Sequence, residues 1–65
     1  MKVRELIRLL EDNGWRLKRT RGSHRHFVRP DRGGGVTVSG NAGRDVPAGT
    51  LNAVLKAAGL KEDDQ

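Results

Sequence analysis

Two apolar stripes at opposite ends of the chain most constrain its fold. Each has the i, i+3, i+4, i+7 spacing of one face of an α-helix. The first stripe consists of Val3, Leu6, Ile7 and Leu10, and the second of Leu51, Val54, Leu55 and Ala58. The sequence therefore predicts one helix from Lys2 to Asn13 and a second that begins near Pro47, a residue that fits a first helical turn.

A glycine followed by an apolar residue ends each stripe. Gly14 precedes Trp15, and Gly59 precedes Leu60. A glycine in the left-handed conformation, followed by an apolar contact back onto the last turn, is typical of a Schellman cap. Trp15 is therefore predicted to anchor the core, although an indole can also stack on a nucleobase.

The segment between the helices has the pattern of a small antiparallel sheet. Apolar and charged residues alternate from Trp15 to Lys18, and Gly22 permits a tight turn before a second strand from His24 to Arg29 that stops at Pro30. In that strand, Phe27 and the two histidines alternate. If Phe27 faces the core, His24 and His26 face away from it. An inward Val28 would reverse this arrangement, and a bulge near Gly22 could re-aim His24.

Three consecutive glycines precede the third predicted strand. Residues 31–35 are predicted to form a flexible turn, and Val36 to Val38 a short strand with both valines on one face. A phosphate-binding loop is not expected here, because no Gly-Lys-Ser/Thr sequence and no helix follow the glycines.

The element order α-β-β-β-α predicts an α+β fold. We expect a two-layer sandwich in which a three-stranded antiparallel sheet carries both helices on one face, because the sheet offers the helices their one large apolar surface. Residues 1–60 are expected to form one domain, and residues 61–65, which are mostly acidic and lack apolar side chains, a frayed tail. The second sheet face would be open to solvent or a partner.

Composition excludes several classes of protein. The chain has no cysteine, so neither a disulfide framework nor a thiolate zinc site is expected. No apolar run reaches the length of a signal-peptide core or a membrane span, so we expect a cytoplasmic protein without membrane insertion. The net charge is +5, and residues 16–32 contain seven arginines and lysines against the single acid Asp31. This basic segment favours a polyanionic partner, either nucleic acid or an acidic protein, although it is also typical of a solvated surface.

Both histidines lie inside the basic segment. His24 follows Gly22 and Ser23, and His26 precedes Phe27. An imidazole can give or take a proton near neutral pH, and the nearby guanidinium groups would attract a phosphate. This combination is suited to RNA chemistry.

Taken together, these residues resemble those of the HicA-type mRNA interferase toxins of toxin–antitoxin pairs. The resemblance rests on four parts in order: the opening helix with Glu5, Leu6, Leu10 and Gly14; the sequence Gly22, Ser23, His24, x, x, Phe27; the strand Val36, Thr37, Val38; and the closing segment from Pro47 through Gly49, Thr50 and Leu51 to Leu60. Many members of this family carry a second histidine in the loop after the third strand, where Ser39, Gly40 and Asn41 stand here.

The resemblance implies a fold like that of the double-stranded-RNA-binding domain and a type II toxin that cleaves mRNA. It also implies neutralisation by a HicB-type antitoxin, and by position in the motif it makes His24 the catalytic acid or base. No metal or cofactor is expected, because two histidines, no cysteine and no nearby carboxylate other than Asp31 leave a metal site incomplete.

The other site residues are predicted from their chemistry. Arg21 and Arg25 are the expected phosphate contacts, and the remaining candidates for RNA binding are Lys18, Ser23 and His26. Two alternatives stay open: Ser23 can simply satisfy a turn amide, and His26 can be either the complementary acid or a surface bystander.

Two other functions fit the same residues. One is a non-catalytic RNA-binding module whose basic strands contact phosphates and 2′-hydroxyls. The other is an interaction domain whose basic surface serves an acidic protein.

Overall fold

The computed structural model describes residues 1–61, in which two helices flank three strands. The elements are α1 (Val3–Asp12), β1 (Arg16–Arg21), β2 (His24–Arg29), β3 (Arg32–Ser39) and α2 (Ala48–Ala57). The predicted α+β class and the order α-β-β-β-α are confirmed. Of the predicted tail, residues 62–65 lie outside the described residues, and Lys61 donates a 2.7 Å hydrogen bond from Nζ to Asn52 Oδ1.

Both helices end as their glycines predict. Gly14 has a φ of +88° and Gly59 a φ of +74°. The next residue in each case returns a hydrogen bond to the last turn, from the Trp15 N–H to the Leu10 carbonyl at 3.0 Å and from the Leu60 N–H to the Leu55 carbonyl at 2.8 Å. These bonds satisfy carbonyls that the helix leaves unpaired, as in a Schellman cap. Helix α2 begins at Ala48, directly after Pro47.

One core joins the helices to a single face of the sheet. Its buried residues from the helices and their caps are Val3, Leu6, Leu10, Trp15, Val54 and Ala58, and those from the sheet are Phe27, Val36 and Val38. Trp15 is 2% exposed, which confirms it as a core residue. Because all the core residues of the sheet lie on one face, the predicted two-layer arrangement is confirmed.

The sheet is an antiparallel meander with β2 in the centre. Arg21 pairs with His24 across the first turn, and Arg29 pairs with Arg32 across the second. Within the described residues, no helix is long and apolar enough to cross a membrane.

The prediction for β1 was wrong in its limits and in its buried face. The strand begins after Trp15 and continues to Arg21, and all of its residues are exposed. Leu17 was expected on the half-buried face, yet it is 50% exposed although it lies opposite Phe27. The helices pack mainly against β3, at the other edge of the sheet. An edge strand outside the core needs no apolar alternation, so the sequence pattern did not reveal its length.

The predicted glycine turn was also wrong. Residues 32–35 belong to β3, and the turn before them consists of Pro30 and Asp31. The register shifts between Phe27 and Arg29, where the glycine segment adds residues opposite a shorter stretch of β2. Backbone pairing does not require side chains, but glycine lacks the packing that makes a strand recognisable in a sequence.

The loop between β3 and α2 is attached to the start of α1. The Val3 N–H donates to the Arg44 carbonyl at 2.8 Å, and the Val46 N–H donates to the Met1 carbonyl at 2.9 Å. An exposed ion pair adds to these contacts, with 3.2 Å between Lys2 Nζ and Asp45 Oδ1. The loop therefore satisfies a helix N-terminal amide, which α1 cannot pair internally.

Candidate functional site

The hairpin between β1 and β2 brings the arginine and histidine residues of the basic segment together. Gly22 and Ser23 form the turn, with Gly22 at a φ of +56°, and Arg21 lies directly opposite His24. Side chains of residues paired in an antiparallel ladder lie on the same face. The Arg21 side chain therefore neighbours the His24 imidazole, and His24 is exposed at the end of the strand.

Both imidazoles lie on the sheet face opposite the core. Phe27 is 1% exposed and points toward the helices, so His24 and His26, which alternate with it, face away from the core. This is the first of the two arrangements that the sequence left open. His26 lies opposite Arg19 on one side and Thr37 on the other. Val28, the residue that argued for the reverse arrangement, is only partly buried.

A bulge in β1 determines which basic side chains reach this face. Lys18 has no partner in the ladder, and it separates the pairs made by Leu17 and Arg19. Side chains alternate along a strand, so one extra residue exchanges the two faces beyond it. Arg19 and Arg21 consequently share a face with the histidines, where a regular ladder would carry Lys18 and Thr20.

These residues form a shallow groove of about 260 Å³, which we call the basic groove. It is lined by Arg19, Arg21, His24, His26 and Thr37. No acidic residue lines it, and within residues 1–61 neither arginine has a carboxylate partner. Two uncompensated guanidinium groups produce a positive potential that attracts anions such as phosphate.

His26 is held in place from two sides. Its Nδ1 lies 3.0 Å from Thr37 Oγ1. Its ring lies against the backbone of Gly35, where a Cβ atom would overlap the ring atoms Cε1 and Nε2. The absence of a side chain at Gly35 therefore leaves room for the imidazole, and Thr37 fixes the orientation of the ring.

A second depression, of about 330 Å³, lies on the other side of His24. We call it the Thr50 cleft. Its floor is apolar and is formed by Val3, Leu6, Val38 and Val54. Its rim is polar and includes Ser23, His24, Arg44, Asp45 and Thr50. Thus His24 lines both the basic groove and the Thr50 cleft.

The predicted site residues are not all brought together. His24, His26 and Arg21 line the basic groove, and Ser23 lines the Thr50 cleft. Arg25 alternates with the histidines and donates a 3.1 Å hydrogen bond from Nη1 to the Gly40 carbonyl. Lys18, at the bulge, lines neither depression.

Sequence reasoning missed two residues of the basic groove, Arg19 and Thr37. Thr37 had a usable signal, because it lies between two valines that were predicted to face the core. Arg19 had none, since the bulge that aims it follows no residue pattern in the sequence.

The arrangement can perform proton transfer beside a bound phosphate. An exposed imidazole next to guanidinium groups offers an acid or base together with cations that stabilise negative charge. Among residues 1–61, no group of three or more histidine, cysteine or acidic side chains could hold a metal ion.

The family comparison covers nearly the whole chain. A search of curated proteins gave no match. A family model described as the HicA toxin of bacterial toxin–antitoxin systems matches residues 3–60. This match covers both helices, the whole sheet and His24, so the chain belongs to the HicA toxin family.

Proposed function

We propose that this protein is the toxin of a type II toxin–antitoxin pair and that it cleaves mRNA as a metal-independent endoribonuclease. The observation that carries the proposal is the exposed imidazole of His24 on the basic groove, in a chain of the HicA toxin family. The site of action would be the cytoplasm, where mRNA is available.

The basic groove would bind the RNA backbone. Arg19 and Arg21 lie on the same sheet face as both histidines, and neither is neutralised within the described residues. Arginine binds phosphate through a planar fork of donors, so a phosphate between these side chains would be both attracted and oriented. This contact would bring the adjoining ribose to His24.

His24 would move the proton in the cleavage step. The ribose 2′-hydroxyl can attack the neighbouring phosphorus and displace the 5′-oxygen of the next nucleotide, with formation of one P–O bond and loss of another. His24 would take the hydroxyl proton or supply one to the leaving oxygen, and solvent water would carry out the other of these two proton transfers. The arginines would stabilise the charge that develops on the phosphate oxygens.

His26 would serve as an RNA-binding residue in this proposal. Thr37 and Gly35 hold its ring in the basic groove, at a strand spacing of two residues from His24. From there it can donate a hydrogen bond to a phosphate oxygen.

A HicB-type antitoxin would neutralise the toxin. Family membership supports such a partner, and the basic groove is the surface that an inhibitor must cover to exclude RNA. An acidic partner surface would complement the arginines of the groove.

Cleavage of single-stranded RNA by the purified protein in EDTA tests the proposal. We expect the native protein to cleave, and His24→Ala to lose activity by roughly 10²- to 10⁴-fold while it still binds RNA, because one acid–base group contributes about that factor. Arg8→Ala is the control, since Arg8 is exposed on α1 and lines neither depression.

The same experiment separates the alternatives. Intact RNA together with salt-sensitive binding that does not depend on His24 would indicate a non-catalytic RNA-binding module. No binding at physiological salt would leave a protein-interaction domain. Undiminished cleavage by His24→Ala would remove His24 from the chemistry.

A further inference from the structure

The proposed phosphate binding and proton transfer do not use the Thr50 cleft, yet the cleft adjoins His24, the residue proposed for proton transfer. Its lining extends from His24 and Ser23 at the hairpin turn to Thr50 in the first turns of α2. A ligand seated over His24 would therefore have one neighbouring group in the basic groove and another at the mouth of the cleft.

The walls of the cleft are already in place in the free protein. The loop that carries Arg44 and Val46 is hydrogen-bonded to the N-terminal end of α1, through the Val3 N–H and the Met1 carbonyl. On the opposite side, the Gly40 N–H donates to the Ser23 carbonyl at 3.2 Å, which links the end of β3 to the hairpin turn. When a ligand binds to a preformed cleft, the free-energy cost of ordering loops and side chains is small.

The chemistry of the lining fits a nucleobase. The base has two flat apolar faces and an edge of hydrogen-bond donors and acceptors. The cleft has an aliphatic floor under a rim of hydroxyl, imidazole and guanidinium groups, together with the carboxylate of Asp45. Its volume of about 330 Å³ lies at the small end of the roughly 300–1,000 Å³ typical of small-molecule sites.

No exposed tryptophan, tyrosine or phenylalanine competes for this role. Proteins that bind single-stranded RNA usually stack unpaired bases on aromatic side chains. This chain has one tryptophan, one phenylalanine and no tyrosine, and both Trp15 and Phe27 are buried in the core. An unpaired base held near His24 would find its apolar contact in the cleft instead.

We propose that the Thr50 cleft binds the nucleobase next to the phosphate held over His24, so that the protein recognises one unpaired base of its RNA. This inference rests on the proposed function, because the proposed binding of the RNA backbone in the basic groove is what places a phosphate beside His24. A double helix cannot present an unstacked base, so the substrate class is single-stranded RNA or a loop.

Mononucleotide binding tests the inference without requiring cleavage. Amide shifts of the ¹⁵N-labelled protein are followed during titration with each of the four ribonucleoside 5′-monophosphates and with ribose 5-phosphate, which has no base. We expect amides of Val38, Val46 and Thr50 to respond to at least one nucleotide but not to ribose 5-phosphate. That nucleotide should bind about tenfold more tightly than ribose 5-phosphate, which corresponds to about 1.4 kcal/mol.

Two variants on α2 make the test specific. Thr50→Leu adds bulk at the rim and should abolish the tenfold preference for the nucleotide, with binding of ribose 5-phosphate unchanged. Ala53→Leu adds an even larger increment of bulk at an exposed position outside the cleft and should leave the preference intact. Thr50→Val keeps the size of the side chain and measures the hydroxyl alone.

The outcomes separate the two proposals. Equal binding and equal shifts for ribose 5-phosphate and all four nucleotides would overturn the base site, whether or not the protein cleaves RNA. Base-dependent binding in the cleft would support the site even if RNA stayed intact, in which case the proposed ribonuclease activity would fail alone. In a cleaving protein, mapped product ends should share one base beside the cut, and Thr50→Leu should relax that preference.

Discussion

At the scale of single residues, the position of His26 depends on a neighbour without a side chain. The imidazole ring occupies the space above Gly35 that a Cβ would fill, and it is oriented by Thr37. Gly35 has no left-handed φ, so its role is spatial and not conformational. The glycine and His26 thus form a pair that can be tested by one methyl group.

Gly35→Ala is expected to displace the His26 ring from the basic groove. A Cβ at position 35 would also come within 3.2 Å of the Phe27 carbonyl oxygen, so the two strands must separate by a few tenths of an ångström. Because the ring is a terminal group that can rotate away, we expect the fold to persist and RNA affinity to fall at least as much as in His26→Ala. Fluorescence anisotropy with a labelled RNA measures the affinity, and circular dichroism checks the fold. Gly33→Ala is the matched control, since a Cβ there would meet nothing within 4 Å. Equal affinities of the two variants would contradict the packing role of Gly35.

At the scale of elements, the bulge at Lys18 selects the side chains of the basic groove. Lys18 and Arg19 are adjacent and both are exposed, yet only Arg19 lines the groove. A positive charge at position 19 therefore faces the basic groove, whereas the positive charge at position 18 does not.

Arg19→Ala should weaken RNA binding and reduce its salt dependence, whereas Lys18→Ala should change both less. One lost phosphate contact lowers the slope of log K against log salt by about 0.7 for single-stranded nucleic acid. Binding measured at four salt concentrations gives this slope for each variant. Because the two variants remove the same charge, equal slopes would show that the bulge does not direct binding.

The helices were predictable from the sequence because their period and caps are local features. Apolar spacing and two glycines determine α1, α2 and their ends. The facing of His24 and His26 stayed open in the sequence, because either Phe27 or Val28 could have faced the core. The limits of β1 and β3 did not follow, because an exposed edge strand and a glycine run carry no side-chain pattern. To predict the position of Arg19, one would need to know the register of β1, which depends on the whole hairpin.

At the scale of the whole molecule, one face of the sheet contributes to stability and the other to binding. The helices cover β3 and β2 on one face and form the core there, while the other face carries the basic groove. His24 lies at the edge where both depressions meet, so a ligand can reach it from either side. A domain of this length has little stability to spare: at about 0.05–0.15 kcal/mol per residue, unfolding costs roughly 3–10 kcal/mol.

The helices cover β2 and β3 but leave β1 exposed. Truncation of two residues that lie opposite each other on β1 and β2 should therefore change the free energy of unfolding by very different amounts. Phe27 and Leu17 are paired and share a sheet face, but Phe27 is 1% exposed and Leu17 is 50% exposed. Phe27→Ala should lower the free energy of unfolding by about 3–5 kcal/mol, the usual cost of truncating a buried phenylalanine. This loss is enough to unfold much of the protein at 25 °C. Leu17→Ala should cost less than about 1 kcal/mol, because an exposed side chain leaves no cavity. Urea denaturation followed by circular dichroism measures both free energies of unfolding. A loss of more than about 2 kcal/mol in Leu17→Ala would mean that the core extends over β1, and the two-layer division would then be wrong.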